Sequence, residues 1–157
     1  MLESSQARLE SFTVFCRDAE PRLRHALVAA YGPDVGKEAA AEAIAYGWEN
    51  WDRVRAMDNP IGYLYRVGRT TGTRWLRRPT RLPEPPRSSD PPWIEPALPG
   101  ALNRLSRNQR IAVMLVKGYG LGYREVADLM GAGVSTVQKH VDRALGKLRK
   151  ELEVDGA

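Results

Sequence analysis

Cysteine occurs once in the 157-residue chain, as Cys16. A single thiol excludes an internal disulfide and fits a reducing, cytoplasmic setting. Flanked by Phe15 and Arg17 in a helical pattern, it reads as a half-buried packing residue rather than a redox centre. Histidine occurs only as His25 and His140, too far apart for metal-ligand spacing, and both read as surface residues. The longest apolar run, Ile111 to Val116, is far too short to span a bilayer. The opening Met1-Leu2-Glu3-Ser4-Ser5-Gln6 has neither a basic start nor an apolar stretch, so no signal peptide is expected. Gly118, Gly120 and Gly122 join two helical patterns rather than a strand and a helix, which excludes a phosphate-cradling loop. No catalytic constellation, metal set or cofactor site emerges, so neither enzyme activity nor a cofactor is expected.

Carboxylates are absent where they would be most expected. The net charge is +5, yet residues 1–58 carry ten acidic and seven basic side chains. Residues 59–81 then carry six basic and no acidic ones. After a slightly acidic stretch, residues 100–157 carry ten basic and six acidic ones. Two separate positive blocks imply two anion-binding surfaces on one chain.

Eight of the 11 prolines fall between Pro79 and Pro99, with Ser88-Ser89 and little that could form a core. Such a segment reads as a linker, residues 79–96, of roughly 60 Å reach in extended form. Strand patterns are weak throughout. The expected architecture is therefore all-α, with two small helical domains, residues 1–78 and 97–157, on either side of the Pro-rich linker.

The first domain is predicted to hold four helices. The first covers about 4–18, and a second starts near Pro21 and stops at Gly32-Pro33. The third covers about 36–51, with Ala40, Ile44, Trp48 and Trp51 on a core-facing stripe. Asn59-Pro60 opens the fourth. At 100° per residue, Ile61, Leu64, Tyr65, Gly68, Thr71, Gly72, Trp75 and Leu76 fall on one side of that helix. Tyr63, Arg66, Arg69, Thr70, Thr73, Arg74 and Arg77 fall on the other. The first side is built for packing, with Gly68 and Gly72 allowing close approach. The second could be a solvated face, but solvated faces usually mix both charge signs, because like charges repel. Arginines interleaved with an exposed aromatic suit a single nucleic-acid strand, with guanidiniums on phosphates and a ring under a base.

In the second domain, Ser106 followed by Gln109 is a capping box that opens a helix through Val116-Lys117, closed by Gly118. A helix over about 123–130, the turn Gly131-Ala132-Gly133 and a long helix from Val134 to about Leu152 make a helix-turn-helix. Val126, Met130 and Val137 supply its small core, and Gly131 sits where the chain must turn left-handed. On the last helix Val134, Val137, Val141, Ala144, Leu145 and Leu148 share the packing face. Ser135, Thr136, Lys139, Arg143, Gly146 and Lys150 face the other way, with Gln138 at the border. A recognition helix reads base edges with its first turns and meets phosphate with later basic residues.

These motifs resemble a known family. Leu105-Ser106-Arg107-Asn108-Gln109-Arg110, Tyr123-Arg124-Glu125-Val126-Ala127, Ser135-Thr136-Val137, Arg143-Ala144 and Leu148-Arg149 are similar to region 4 of bacterial sigma factors, over Ala97 to Leu152. Residues 12–78, notably Trp48 and Tyr63-Leu64-Tyr65-Arg66-Val67-Gly68-Arg69, resemble region 2. Having only these two regions is the layout of the extracytoplasmic-function (ECF) type. The resemblance implies a chain that brings core RNA polymerase to promoter DNA. Arg124, Ser135, Thr136, Gln138, Lys139 and Arg143 would meet the duplex minus-thirty-five element. Tyr63, Arg66, Arg69, Thr70, Arg74 and Arg77, with the 52–60 loop, would capture the unpaired minus-ten strand. Glu38 and Glu42 would contact the polymerase clamp, and an anti-sigma factor is a family-implied partner. The chain departs from the family pattern at Ala41, Thr70, Arg74 and Tyr63, where a glutamine, an asparagine, an aspartate and a tryptophan are expected. Two rivals remain open on this reading: a DNA-binding regulator that does not support initiation, and a protein-interaction decoy for an anti-sigma factor.

Overall fold

The computed structural model describes residues 2–77 and 97–156, all of whose regular structure is helical. The proline-rich segment 79–96 lies outside the described residues. The elements are α1 (Leu2–Tyr31), α2 (Pro33–Glu49), α3 (Trp51–Val54), α4 (Pro60–Arg77), α5 (Leu98–Asn103), α6 (Arg107–Val113), α7 (Tyr123–Met130) and α8 (Val134–Gly156).

The N-terminal half departs from expectation at Pro21. That residue lies inside α1, which runs unbroken where two helices were expected. An interior proline removes one backbone hydrogen bond and costs about 3 kcal/mol or more. Packing outweighs this: Phe12 and Ala19 before the proline and Leu23, Ala26, Leu27 and Ala30 after it are all buried. Each fully buried leucine contributes about 1.5–3 kcal/mol. The helix ends at Gly32, whose φ of 90° is closed to most side chains and reverses the chain into Pro33 at the first turn of α2. α2 then packs so tightly on α1 that a Cβ at Gly36 would stand 2.4 Å from the Val28 Cα. Trp51, expected at the end of that helix, instead opens the short α3. It is buried against Phe12 and Phe15, with ring centroids 5.2 and 5.0 Å away.

Asn59 caps α4, its side-chain oxygen accepting from the Gly62 N–H at 3.1 Å. The packing face is largely as the angles predict, with Leu64, Tyr65, Gly68, Thr71 and Gly72 buried. A Cβ at Gly68 would meet Leu27 at 2.6 Å, and one at Gly72 the Tyr31 ring at 2.6 Å. Burial pushes the Tyr65 hydroxyl up to about 12. The far end of the face is a correction: Trp75 is only half-buried and Leu76 is 51% exposed. α1 ends at Tyr31, whose hydroxyl contacts the Arg69 carbonyl and the Thr73 hydroxyl, so the last turn of α4 has less to pack against.

The Ser106 capping box forms as expected: Ser106 Oγ accepts from the Gln109 N–H while the Gln109 side chain accepts from the Ser106 N–H. The helix it opens continues into a single π-helical turn over Met114–Gly118. Gly131 ends α7 with a φ of 66°, the left-handed turn expected there. α8 outlasts its expected end, running to Gly156, and nothing in the structure explains Gly146 within it.

The two halves pack against one another. One core cluster runs from Phe12, Leu27 and Leu64 through Ile111, Leu115 and Val126 to Val137 and Val141. A smaller one gathers Ala101, Leu105, Val113, Ala144 and Leu148. The seam between the halves is also polar. Arg110 donates to the carbonyls of Ala29 (2.6 Å) and Ala30 (2.9 Å), where α1 has unpaired acceptors. Arg22 pairs with Glu125 at 2.8 Å, and the Arg107 guanidinium lies 4.7 Å from the Tyr31 ring centre. His25, expected at the surface, is half-buried and stacks on Tyr119, with ring centroids 3.8 Å apart.

Candidate nucleic-acid interface

The helix-turn-helix is built by α7, the left-handed Gly131 and α8. Val126, Ala127, Leu129, Val137 and Val141 are buried between these helices and the rest of the core. Burying that face turns the other outward: Arg124, Ser135, Thr136, Gln138, Lys139 and Arg143 are all exposed. Ser135, Thr136, Gln138 and Lys139 lie in the first two turns of α8, Arg143 one turn further on, and Arg124 on α7. Val134, expected on the packing face, is 37% exposed, because it stands at the very start of the helix.

On α4, Arg66, Arg69, Thr70, Thr73 and Arg74 line an open cavity of about 530 Å³. Three guanidiniums and two hydroxyls around one depression make an anion-attracting surface. The side chain of Arg77 lies outside the described residues. Tyr63, expected to be freely exposed, is instead half-buried against α2. Its hydroxyl stands 3.2 Å from that of Tyr46, with ring centroids 6.1 Å apart, and Arg53 donates to the same Tyr46 oxygen. The Tyr46 bond raises the Tyr63 hydroxyl above its ordinary ionisation range. Tyr46 and Arg53 were not legible as site residues, because they sit on other elements with no spacing relation to Tyr63.

Glu38 and Glu42 are exposed one turn apart on α2. The structure separates their surroundings, since Glu42 also lines a cavity of about 340 Å³ with Tyr46, Val67, Thr70, Thr71 and Arg74. The loop expected over 52–60 is shorter, because its first residues belong to α3 and Pro60 to α4; it ends at Asn59, whose side-chain amide donates to the Asp128 carbonyl at 2.6 Å, joining the start of α4 to the end of α7. Among the described residues no group of three or more His, Cys, Asp or Glu side chains could hold a metal. No helix among them is long and apolar enough to cross a membrane.

Residues 97–148 match the family described as Sigma-70, region 4. The ECF RNA polymerase sigma factor EcfG of Rhodopseudomonas palustris (strain TIE-1) is 42% identical over 57 residues, which is 36% of this chain. The match spans only 32% of that relative's own length. The whole architecture is similar to a sigma factor from Bartonella quintana, RpoE, solved in complex with the anti-sigma factor NepR. That likeness has a TM-score of 0.62 and 22% identity, and it covers 93% of this chain and 99% of the other. Sequence similarity thus covers the helix-turn-helix half, and likeness of fold extends over both halves. Residues 97–148 are thus similar to region 4 of the sigma-70 family, and the fold of the chain is similar to that of a solved sigma factor.

Proposed function

We propose that this chain is a sigma factor that binds core bacterial RNA polymerase and directs it to particular promoters. The observation that carries the reading is the outward face of α8, where Ser135, Thr136, Gln138, Lys139 and Arg143 stand exposed within the segment matching region 4. Such a face suits the major groove of a duplex minus-thirty-five element, with the hydroxyls and amide at base edges and the cations at phosphates. The arginine-lined cavity of α4 suits the displaced minus-ten strand. Glu38 and Glu42 would meet the polymerase clamp. An anti-sigma partner is part of the proposal, supported by the complex in which the structural neighbour was solved.

The test is run-off transcription with purified core polymerase and this chain on a genomic template library. Discrete new transcripts are expected, and they should diminish with Glu38→Lys. If core polymerase neither binds the chain nor gains transcripts from it, the sigma reading fails. One observation favours a DNA-binding regulator in that event: the α8 face is exposed while the two halves are packed together, so duplex binding does not require them to part.

A further inference from the structure

Leu76, near the end of α4, and Pro99, near the start of α5, line one and the same cavity, of about 610 Å³. The stretch 78–96 leaves α4 after Arg77 and returns at Ala97, so it starts and finishes beside that cavity. The lining is drawn from both halves, with Val28, Ala30 and Leu76 from one and Pro99, Leu102 and Met114 from the other. Leu76 is 51% exposed although it belongs to this mostly apolar wall. Covering such a surface is favourable, because it removes apolar area from water. We propose that the cavity is the docking site of the chain's own Trp93, which anchors the stretch 78–96 on the seam between the halves. The proposal is independent of what DNA or polymerase the chain binds.

The sequence of the stretch selects the occupant. Its large apolar side chains are Leu82, Trp93 and Ile94. Trp93 stands four residues before Ala97, a contour of at most about 14 Å. It is therefore held near Pro99 and Leu102 by the chain itself, at a high effective concentration. An indole buries about 150–250 Å², more surface than the shorter Leu82 brings from the other end. The cavity volume lies within the roughly 300–1,000 Å³ that takes a compact, mostly apolar group.

Three further features fit an indole. Its ring N–H is a donor that needs an acceptor when buried, and Asn103 in the lining carries an amide oxygen. Arg110, also in the lining, is fixed by its bonds to the Ala29 and Ala30 carbonyls and keeps its positive charge at the cavity. A cation there suits an aromatic face, and it suits Asp90 and Glu95, which flank Trp93 in sequence. Pro91-Pro92 before the tryptophan and Pro96 after it restrict the backbone on both sides. Ordering a chain that is already restricted costs less entropy, so more of the burial energy is kept. Docked there, Trp93 covers Leu76 and joins the end of α4 to α5.

The test is fluorine NMR of the full chain carrying 5-fluorotryptophan at its four tryptophans. The Trp93 signal is assigned by its loss in Trp93→Phe, and a synthetic peptide of residues 88–97 gives the undocked reference. A soluble gadolinium chelate should relax the Trp93 fluorine about tenfold less in the chain than in the peptide, since burying one large apolar side chain favours the docked state by about that factor. Leu76→Asn makes the wall polar at a half-exposed position, and circular dichroism verifies that the variant folds. It should bring the relaxation to within about twofold of the peptide's. A Trp93 fluorine as accessible in the wild-type chain as in the peptide overturns the proposal, and so does protection that Leu76→Asn leaves intact. Protection that disappears on dilution, with dimers in sedimentation, assigns the cavity to the tryptophan of a second copy and overturns docking within one chain.

Discussion

The side-chain amide of Asn59 reaches the main-chain carbonyl of Asp128 across 69 residues of sequence, at 2.6 Å. The same side chain caps α4 through its oxygen. One asparagine thus fixes the start of the basic helix and ties it to the last turn of the first helix-turn-helix helix. The amide can do both because it carries an acceptor and a donor on one carbon.

Asn59→Asp separates the two roles. The cap acceptor is kept, while a carboxylate oxygen now faces the Asp128 carbonyl. Faster amide hydrogen exchange is expected in the last turn of α7, with the first turn of α4 still protected. Asn59→Ala should lose both contacts, at a cost to stability of about 1–2 kcal/mol for the cap alone, measured by urea unfolding. Unchanged exchange in α7 for both variants would show that the contact does not hold the seam.

Two glycine substitutions should move stability in opposite directions. Gly36→Ala places a Cβ 2.4 Å from the Val28 main chain, which cannot swing aside as a flexible side chain would. A loss of about 1–3 kcal/mol is expected for such overpacking. Gly146 has nothing within 4 Å of an added Cβ. Gly146→Ala should therefore gain up to about 1 kcal/mol from helix propensity. Thermal unfolding of the two variants beside the wild type reads both signs.

The stacked His25 makes stability depend on pH. Burial first, and Arg24 second, hold its imidazole below the ordinary value of 6.5, against the pull of Glu20. The folded state therefore takes up its proton less readily than the unfolded chain does. Above 6.5 both states are neutral and the His25–Tyr119 contact contributes in full. As pH falls below 6.5 the unfolded chain is protonated first, so stability declines until the folded-state value is passed. His25→Phe should keep the stack and flatten the unfolding midpoint over that window. A midpoint that falls as steeply in His25→Phe as in the wild type would assign the effect to other groups.

On α8, Lys139→Ala and Arg143→Ala should each weaken duplex promoter binding and flatten the salt dependence by about one unit of slope. Ser135→Ala and Thr136→Ala should instead change which sequences are preferred. Binding titrations at several salt concentrations, with circular dichroism to verify folding, separate the two behaviours. Four variants that fold and bind like the wild type would remove α8 from the duplex interface.

The features that local chemistry dictates were legible from the chain alone. The capping box at Ser106, the left-handed Gly131 and the period of buried residues on α4 and α8 depend on neighbours within a few positions. The exposed faces of those helices followed as the complement of the buried ones. Pro21 misled for the same reason: a proline weakens a helix locally, and only the burial of Leu23 and Leu27 across the core outweighs it. The tertiary structure alone decided which groups meet from distant elements. Tyr63 meets Tyr46, which Arg53 also reaches, Asn59 finds Asp128, His25 finds Tyr119, and Glu42 joins Thr70 and Arg74 around one cavity. Helical periodicity specifies which side of a helix is buried. It holds no information on which helix lies opposite or at what register, because side-chain packing between elements sets both.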